Sequence, residues 1–301
     1  MRTYIKLLCT SMFWGGTFVA GRLVSRELPP FSAAFLRFAI ASVCLVILVR
    51  IYEGGLPRPR AAQILPIIVL GLSGIFAYNV LFFIGLQTVE AGRAAVIVAT
   101  NPIFVALLAA LLFQEPLGPG RLVGIGLSVS GAVLAITGGH PLALFNQVLT
   151  WGDVAIFGCV ASWVTYLLVG KVMMQNLSPH AAVTYSCLAG TVMLLPFSLT
   201  EGLIGHLRLI PWTLWAALLY LGMFGTVLGF TWFYQAVKEI GPSRAAVFIN
   251  FVPIWAIVSG FLILGESLNL TLIMGAAMVG GGVYLTNRKM KTPGAEIRPR
   301  P

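Results

Sequence analysis

Residues 93–117 read RAAVIVATNPIFVALLAALLFQEPL, and residues 244–268 read RAAVFINFVPIWAIVSGFLILGESL. Nine of the twenty-five aligned positions are identical: the opening Arg-Ala-Ala-Val, the Pro-Ile pair, one Leu, and the Glu and Leu of the closing Glu-x-Leu. Self-similarity at a fixed separation, here 151 residues, is the mark of a chain assembled from two copies of one unit. The likeness extends outward. Upstream, GLSGIFAYNVLFFIG (71–85) aligns with GMFGTVLGFTWFYQA (222–236) at the same offset, and downstream Gly124 and Gly131 fall on Gly275 and Gly282. At an offset of 149, Trp14 matches Trp163, Gly21 matches Gly170, Arg22 matches Lys171 and Pro30 matches Pro179.

Both copies are too apolar for a water-soluble globule. Of the 301 residues 58% are hydrophobic and 9% are charged, and the mean hydropathy is +0.95. A helix needs about 20 apolar residues to cross the hydrocarbon. Ten such stretches are predicted, at 5–24, 31–51, 64–86, 94–113, 120–138, 151–170, 179–199, 211–237, 245–264 and 270–287. The fold class is an all-α integral membrane protein of ten transmembrane helices, arranged as two five-helix repeats over 1–144 and 145–287, with a basic tail at 288–301. Because five is odd, the second copy enters the membrane from the opposite face, and the repeats are inverted.

Charge placement orients the chain. With the N-terminus in the cytoplasm, fourteen of the nineteen Lys and Arg fall in cytoplasmic segments, Arg22, Arg26, Arg93 and Arg208 fall outside, and Arg37 falls within a span. Both termini are therefore expected in the cytoplasm, with the net charge of +10 serving lipid headgroups and no nucleic acid. Lys6 is followed by too short an apolar run before Cys9 for a cleaved leader. Cys9, Cys44, Cys159 and Cys187 lie inside spans without Cys-x-x-Cys spacing. His140, His180 and His206 lack metal-ligand spacing, and there is no phosphate loop, so neither metal nor cofactor is expected.

The residues FWGGTFVAGR (13–22), LRFAIA (36–41) and the twice-used RAAV, five residues, Pro, twelve residues, Glu-x-Leu, six residues, Gly resemble EamA-type members of the drug/metabolite transporter superfamily. Within it the sequence is most similar to YddG-type bacterial amino-acid exporters. The resemblance implies a central cavity lined mainly by the third, fourth, eighth and ninth helices, with the first and sixth contributing. It also implies export of small metabolites, amino acids including aromatic ones foremost, by alternating access. Drugs or other neutral or cationic metabolites are the alternative cargo, and a lipid flippase or an intramembrane enzyme the more distant readings. An enzyme would need an in-span Ser/His, paired Asp or metal-binding constellation, and none is visible.

Several in-span residues are candidates for transport. Pro102 and Pro253 remove a backbone hydrogen bond each, freeing the carbonyls of Val98 and Ile249, and act either as static kinks or as paired hinges. Gly71, Gly74, Tyr78, Phe82 and Gly85 share one helix face, matched by Gly222, Gly225, Gly229, Phe233 and Ala236. The glycines Gly71, Gly74, Gly222 and Gly225 read as close-packing positions. Tyr78, which stands where the second copy has Gly229, reads as a packing aromatic or as the asymmetric element of a binding site. Asn101 and Asn250 are amides that must face protein or water, as interhelical ties or cavity groups. Trp14 and Trp163 lie near mid-span, away from the interfacial belts where Trp anchors a helix. Trp163, Tyr78 and Asn101 are the foremost substrate-binding candidates, followed by Trp14, Asn250 and Phe82. Arg37 is read as lying near the outer end of its span, where it can snorkel. All nine acids, from Glu27 to Glu296, fall in loops or near span ends, so movement down the substrate's own gradient is expected in place of proton coupling. Glu115 and Glu266 read as structural. The sequence leaves the oligomeric state open, and a monomer is compatible with it.

Overall fold

The computed structural model describes residues 2–101, 103–104, 119–139, 149–173, 177–240, 245 and 247–287, and every regular element among them is helical. Helix α1 (Arg2–Glu27) is followed by α2 (Pro30–Glu53) and by the composite α3 (Ala61–Thr88), which is wound as a π-helix over Gly71–Ala77. Then come α4 (Ala91–Val98), α5 (Pro119–Thr137), α6 (Trp151–Met173) and α7 (Pro179–Thr200). A single-turn helix at Leu203–Leu207 leads to α8 (Trp212–Ile240), which carries its own π-helical segment at Leu221–Leu228. A 3₁₀ turn, Val247–Phe251, opens into α9 (Val252–Leu264), and α10 (Leu270–Asn287) follows.

Six of these helices, α1, α2, α3, α6, α7 and α8, are long and apolar enough to cross a bilayer. The chain is a multi-pass membrane protein. Large apolar side chains on their outer faces and on α9 are bare, among them Val43 at 61%, Val192 at 70% and Leu262 at 72% exposure. In water such a surface would aggregate, whereas hydrocarbon is as apolar as the side chains themselves.

α1 runs through the centre, against α8, α9, α3, α4 and α2. Around it α2 packs on α7, α5 on α10, α3 on α6 and α7, α8 on α2, and α4 on α9 and α6. Without a hydrophobic force between helices in lipid, close approach depends on small residues. A Cβ on Gly131 would stand 2.7 Å from the carbonyl of Gly275, and one on Gly275 would stand 2.6 Å from the carbonyl of Gly131. One on Gly282 would meet the carbonyl of Gly124. Since 124 faces 282 while 131 faces 275, α5 and α10 run antiparallel. Gly71 and Gly222 likewise sit against Ala189 of α7 and Ile40 of α2, at 2.8 and 2.9 Å from a built Cβ.

Acids at span ends meet the starts of other helices, where N–H groups are left without intrahelical partners. The Glu201 carboxylate accepts from the backbone of Phe31 (3.2 Å) and Ser32 (2.7 Å) at the start of α2. Glu53, at the end of α2, accepts from Ser178 Oγ at 2.7 Å and meets His180 Nδ1 at 2.7 Å at the start of α7. Glu266 reaches the backbone N–H groups of Ala91 (3.0 Å) and Gly92 (3.4 Å) at the start of α4. Gly265 makes that reach possible by closing α9 at φ 66°, a left-handed turn that disfavours any side chain.

Candidate functional site

Four of the helices lose their regular winding along their length or at an end. α4 stops at Val98, and the chain tightens there into i→i−3 bonds, Thr100 N–H to Ile97 O at 3.1 Å and Ile103 N–H to Thr100 O at 2.9 Å. On the other side the 3₁₀ turn Val247–Phe251 precedes α9. The π segments of α3 and α8 add a residue per turn and put carbonyls out of register. Side chains answer them: Asn79 Nδ2 donates to Gly74 O (3.1 Å) and Ile75 O (2.9 Å), Thr226 Oγ1 donates to Leu221 O (3.2 Å), and the Trp14 indole donates to Gly225 O (2.9 Å). Irregular backbone is tolerated at membrane depth where protein or a cavity receives it.

A cavity of about 50 Å³ lies among these irregular segments. A water needs roughly 10–15 Å³ on such a scale, so as it stands the space holds a few waters and no amino-acid-sized body. Its walls are aromatic. Trp14 and Trp163 meet edge to face with centroids 5.7 Å apart, Phe230 lies 5.9 Å from the first and 5.5 Å from the second, and Tyr78 lies 5.6 Å from Trp163 and 6.1 Å from Phe82. Pairs of this kind contribute about 0.5–1.5 kcal/mol each beyond area burial, enough to hold the rings in register.

The polar groups on the wall are few. Asn101 is 3% exposed, and its Oδ1 finds no hydrogen-bond donor among the described residues. The Tyr78 hydroxyl makes no hydrogen bond among them either; its backbone carbonyl accepts from the Cys159 thiol at 3.3 Å. Arg37 is the sole charged residue of the lining among the described residues.

Polar ties cross the bundle on both sides of the cavity. Toward the C-terminal end of α1, Arg22 pairs with Glu266 at 3.2 Å and donates to Val89 O, and Arg93 of α4 grips Asp153 of α6 through two bonds of 3.0 and 2.6 Å. Toward the N-terminal end of α1, Lys6 donates to Gln235 at 2.9 Å, Gln235 donates to His180 at 2.9 Å, and His180 rests on Glu53.

The profile of the EamA-like transporter family matches residues 1–137 and again residues 150–288. The chain belongs to the EamA family of transporters. Relatives match over most of their length. An uncharacterized transporter of Bacillus subtilis, YyaM, is 30% identical over 97% of this chain and 96% of its own. A probable terminal-alkyne amino-acid exporter of Streptantibioticus cattleyicolor is 30% identical, over 94% and 92%. A probable amino-acid metabolite efflux pump of Salmonella typhimurium is 25% identical, over 92% of each chain. One solved crystal structure superposes with a TM-score of 0.66 at 18% identity over 95% of this chain and 96% of that one, a likeness of fold alone.

In this EamA transporter, five of the residues singled out by sequence, Trp14, Tyr78, Phe82, Asn101 and Trp163, line one cavity. Pro102 lies outside the described residues, as does the Asn250 side chain; Asn250 backbone belongs to the 3₁₀ turn. Pro253 is not the mid-helix kink its position in the span predicts. It occupies the first turn of α9, where a missing N–H is harmless, and the break is carried by the 3₁₀ turn before it. The reading of Arg37 as a snorkelling end residue is overturned. It is 4% exposed, bonded to Asn79 and Thr226, because the start of α2 is itself capped by Glu201 and α8 closes over the guanidinium. Thr17 and Phe230 of the lining carried no sequence signal, whereas Arg37 did, as the lone in-span cation.

Proposed function

We propose that the EamA transporter carries small amino-acid-like metabolites through this cavity by alternating access between two inverted five-helix repeats, residues 1–144 and 145–287. The observation that carries the reading is the aromatic cavity bounded by helix breaks at matched positions, with Val98 answering to Ile249 and Asn101 to Val252 at the repeat offset of 151 residues. Broken helices meeting at mid-membrane are the recurrent binding architecture of repeat-built carriers.

Packing supports the repeat. The contact of Gly71 with Ala189 becomes, on exchange of the copies, that of Gly222 with Ile40, and the contact of Gly74 with Tyr166 becomes that of Gly225 with Thr17. The antiparallel run of α5 against α10 is the relation expected of inverted copies. Ser42 and Thr191, images of each other at offset 149, share a 3.1 Å hydrogen bond, as residues on a pseudo-twofold axis would.

In the proposed cycle, Asn101 Oδ1 takes an N–H group of the substrate, Trp14, Trp163, Tyr78 and Phe82 hold its apolar body, and movement about Pro102 and Pro253 opens one side or the other. Both termini and the tail at 288–301 then lie in the cytoplasm of a bacterial cell, and export is the physiological direction. Uptake of a radiolabelled amino-acid panel into proteoliposomes tests this. Saturable flux with mutual competition is expected, and chemical conversion of the cargo, or flux that never saturates, would overturn it.

A further inference from the structure

We infer that Arg37 is the anchor for a substrate carboxylate, so that the cavity selects solutes bearing a carboxylate next to an N–H group on an apolar body. The inference rests on the transport reading above and narrows its substrate class.

Arg37 is seven residues into α2, roughly 10 Å along the axis from its start at 1.5 Å per residue. At that depth a cation is costly and is retained for pairing or for function. Its neighbours position it without neutralising it. Nη1 donates to Asn79 Oδ1 at 2.9 Å, Nε donates to Thr226 Oγ1 at 3.3 Å, and the guanidinium lies 5.1 Å from the Phe38 ring centroid. Asn79 and Thr226 are neutral and are themselves tied to the π segments, so the guanidinium is held from two helices in one orientation. A third donor, Nη2, has no hydrogen-bond partner among the described residues.

No carboxylate among the described residues touches this charge. Glu53, Asp153, Glu201, Glu239 and Glu266 are each engaged elsewhere at the span ends. A guanidinium presents N–H groups in a planar fork matched to a carboxylate, and desolvation strengthens such a bond. The single charge also decides among anions. One carboxylate is neutralised by one guanidinium, whereas a phosphate dianion would need further cations, and the lining holds none among the described residues. The unpartnered Asn101 Oδ1 repels an anion and accepts from an N–H group, which sets the polarity of the bound solute: carboxylate toward α2, N–H toward the break after α4.

The test uses the full chain in proteoliposomes, with phenylalanine and phenylalaninamide as probes that differ in the carboxylate alone. Wild type is expected to move phenylalanine with kcat/KM at least tenfold above the amide. Arg37→Gln should lose that ratio through KM, and Arg37→Lys should keep part of it. Asn79→Asp leaves Arg37 in place but sets a carboxylate against it, and should raise KM for the acid while sparing the amide; this variant and the wild-type ratio decide the matter even if Arg37→Gln fails to fold. Equal transport of acid and amide by wild type, or an undiminished acid preference in Arg37→Gln, would overturn the anchor and leave the transport reading standing. Failure of wild type to move any amino acid of a broad panel would sink the transport reading itself, and the anchor with it.

Discussion

Asn79 faces two ways: its Oδ1 accepts from Arg37 Nη1 at 2.9 Å while its Nδ2 donates to the carbonyl of Ile75 at 2.9 Å. One amide thereby joins the Arg37 guanidinium of the cavity wall to carbonyls displaced by the π segment of α3. Asn79→Ala would remove both services at once. Stranding a buried group costs about 1–3 kcal/mol, more when it is charged, so a clear fall in melting temperature in detergent is expected, together with lost flux. An unchanged melting temperature would show that the two ties are dispensable.

Asn101 should behave in the opposite way. Its Oδ1 is buried without a partner, and removing an unsatisfied group relieves a desolvation penalty of about 1–3 kcal/mol. Asn101→Ala is expected to leave thermal stability unchanged or raised while lowering transport about tenfold. A residue serving only as interhelical glue would lose both, and parallel measurement of melting temperature and initial flux separates the cases.

Gly74 makes room for a ring. A Cβ there would collide with the Tyr166 side chain, a fully buried residue of α6. Gly74→Ala should cost about 1–3 kcal/mol, the usual range for overpacking, and Tyr166→Leu should restore part of it in the double variant. Additive losses would show that the two positions do not meet.

The ties near the C-terminal end of α1 hold α4 from both flanks, through Glu266 at its first residues and Asp153 at Arg93. Loosening them should favour opening on that side. In a cysteine-free background, Val98→Cys is expected to react faster with a membrane-impermeant thiol reagent once Glu266→Gln and Asp153→Asn are added. Equal labelling would assign these pairs to folding alone.

Topology has its own check. Leu209→Cys, in the connection between α7 and α8, should label from outside intact cells, and Arg58→Cys, between α2 and α3, only after permeabilisation. The reverse pattern would invert the orientation drawn from the Lys and Arg distribution.

The membrane class, the approximate positions of the six long apolar helices and the twofold repetition of the family match were legible in the chain, because hydropathy and self-similarity are read along the sequence itself. So were Trp14, Trp163, Tyr78 and Asn101, whose residue types are expensive or unusual at mid-span. Tertiary structure decided the rest. Arg37 looked like an end residue while distance along α2 was the measure; it became a wall of the cavity because Asn79 of α3 and Thr226 of α8 close on it. Gly74 declared a close approach but not that Tyr166 would fill it, and Pro253 declared a break but not that a 3₁₀ turn would carry it. Local pattern sets which segments are buried in lipid or protein, whereas the partner of each buried face is chosen by packing between helices far apart in sequence.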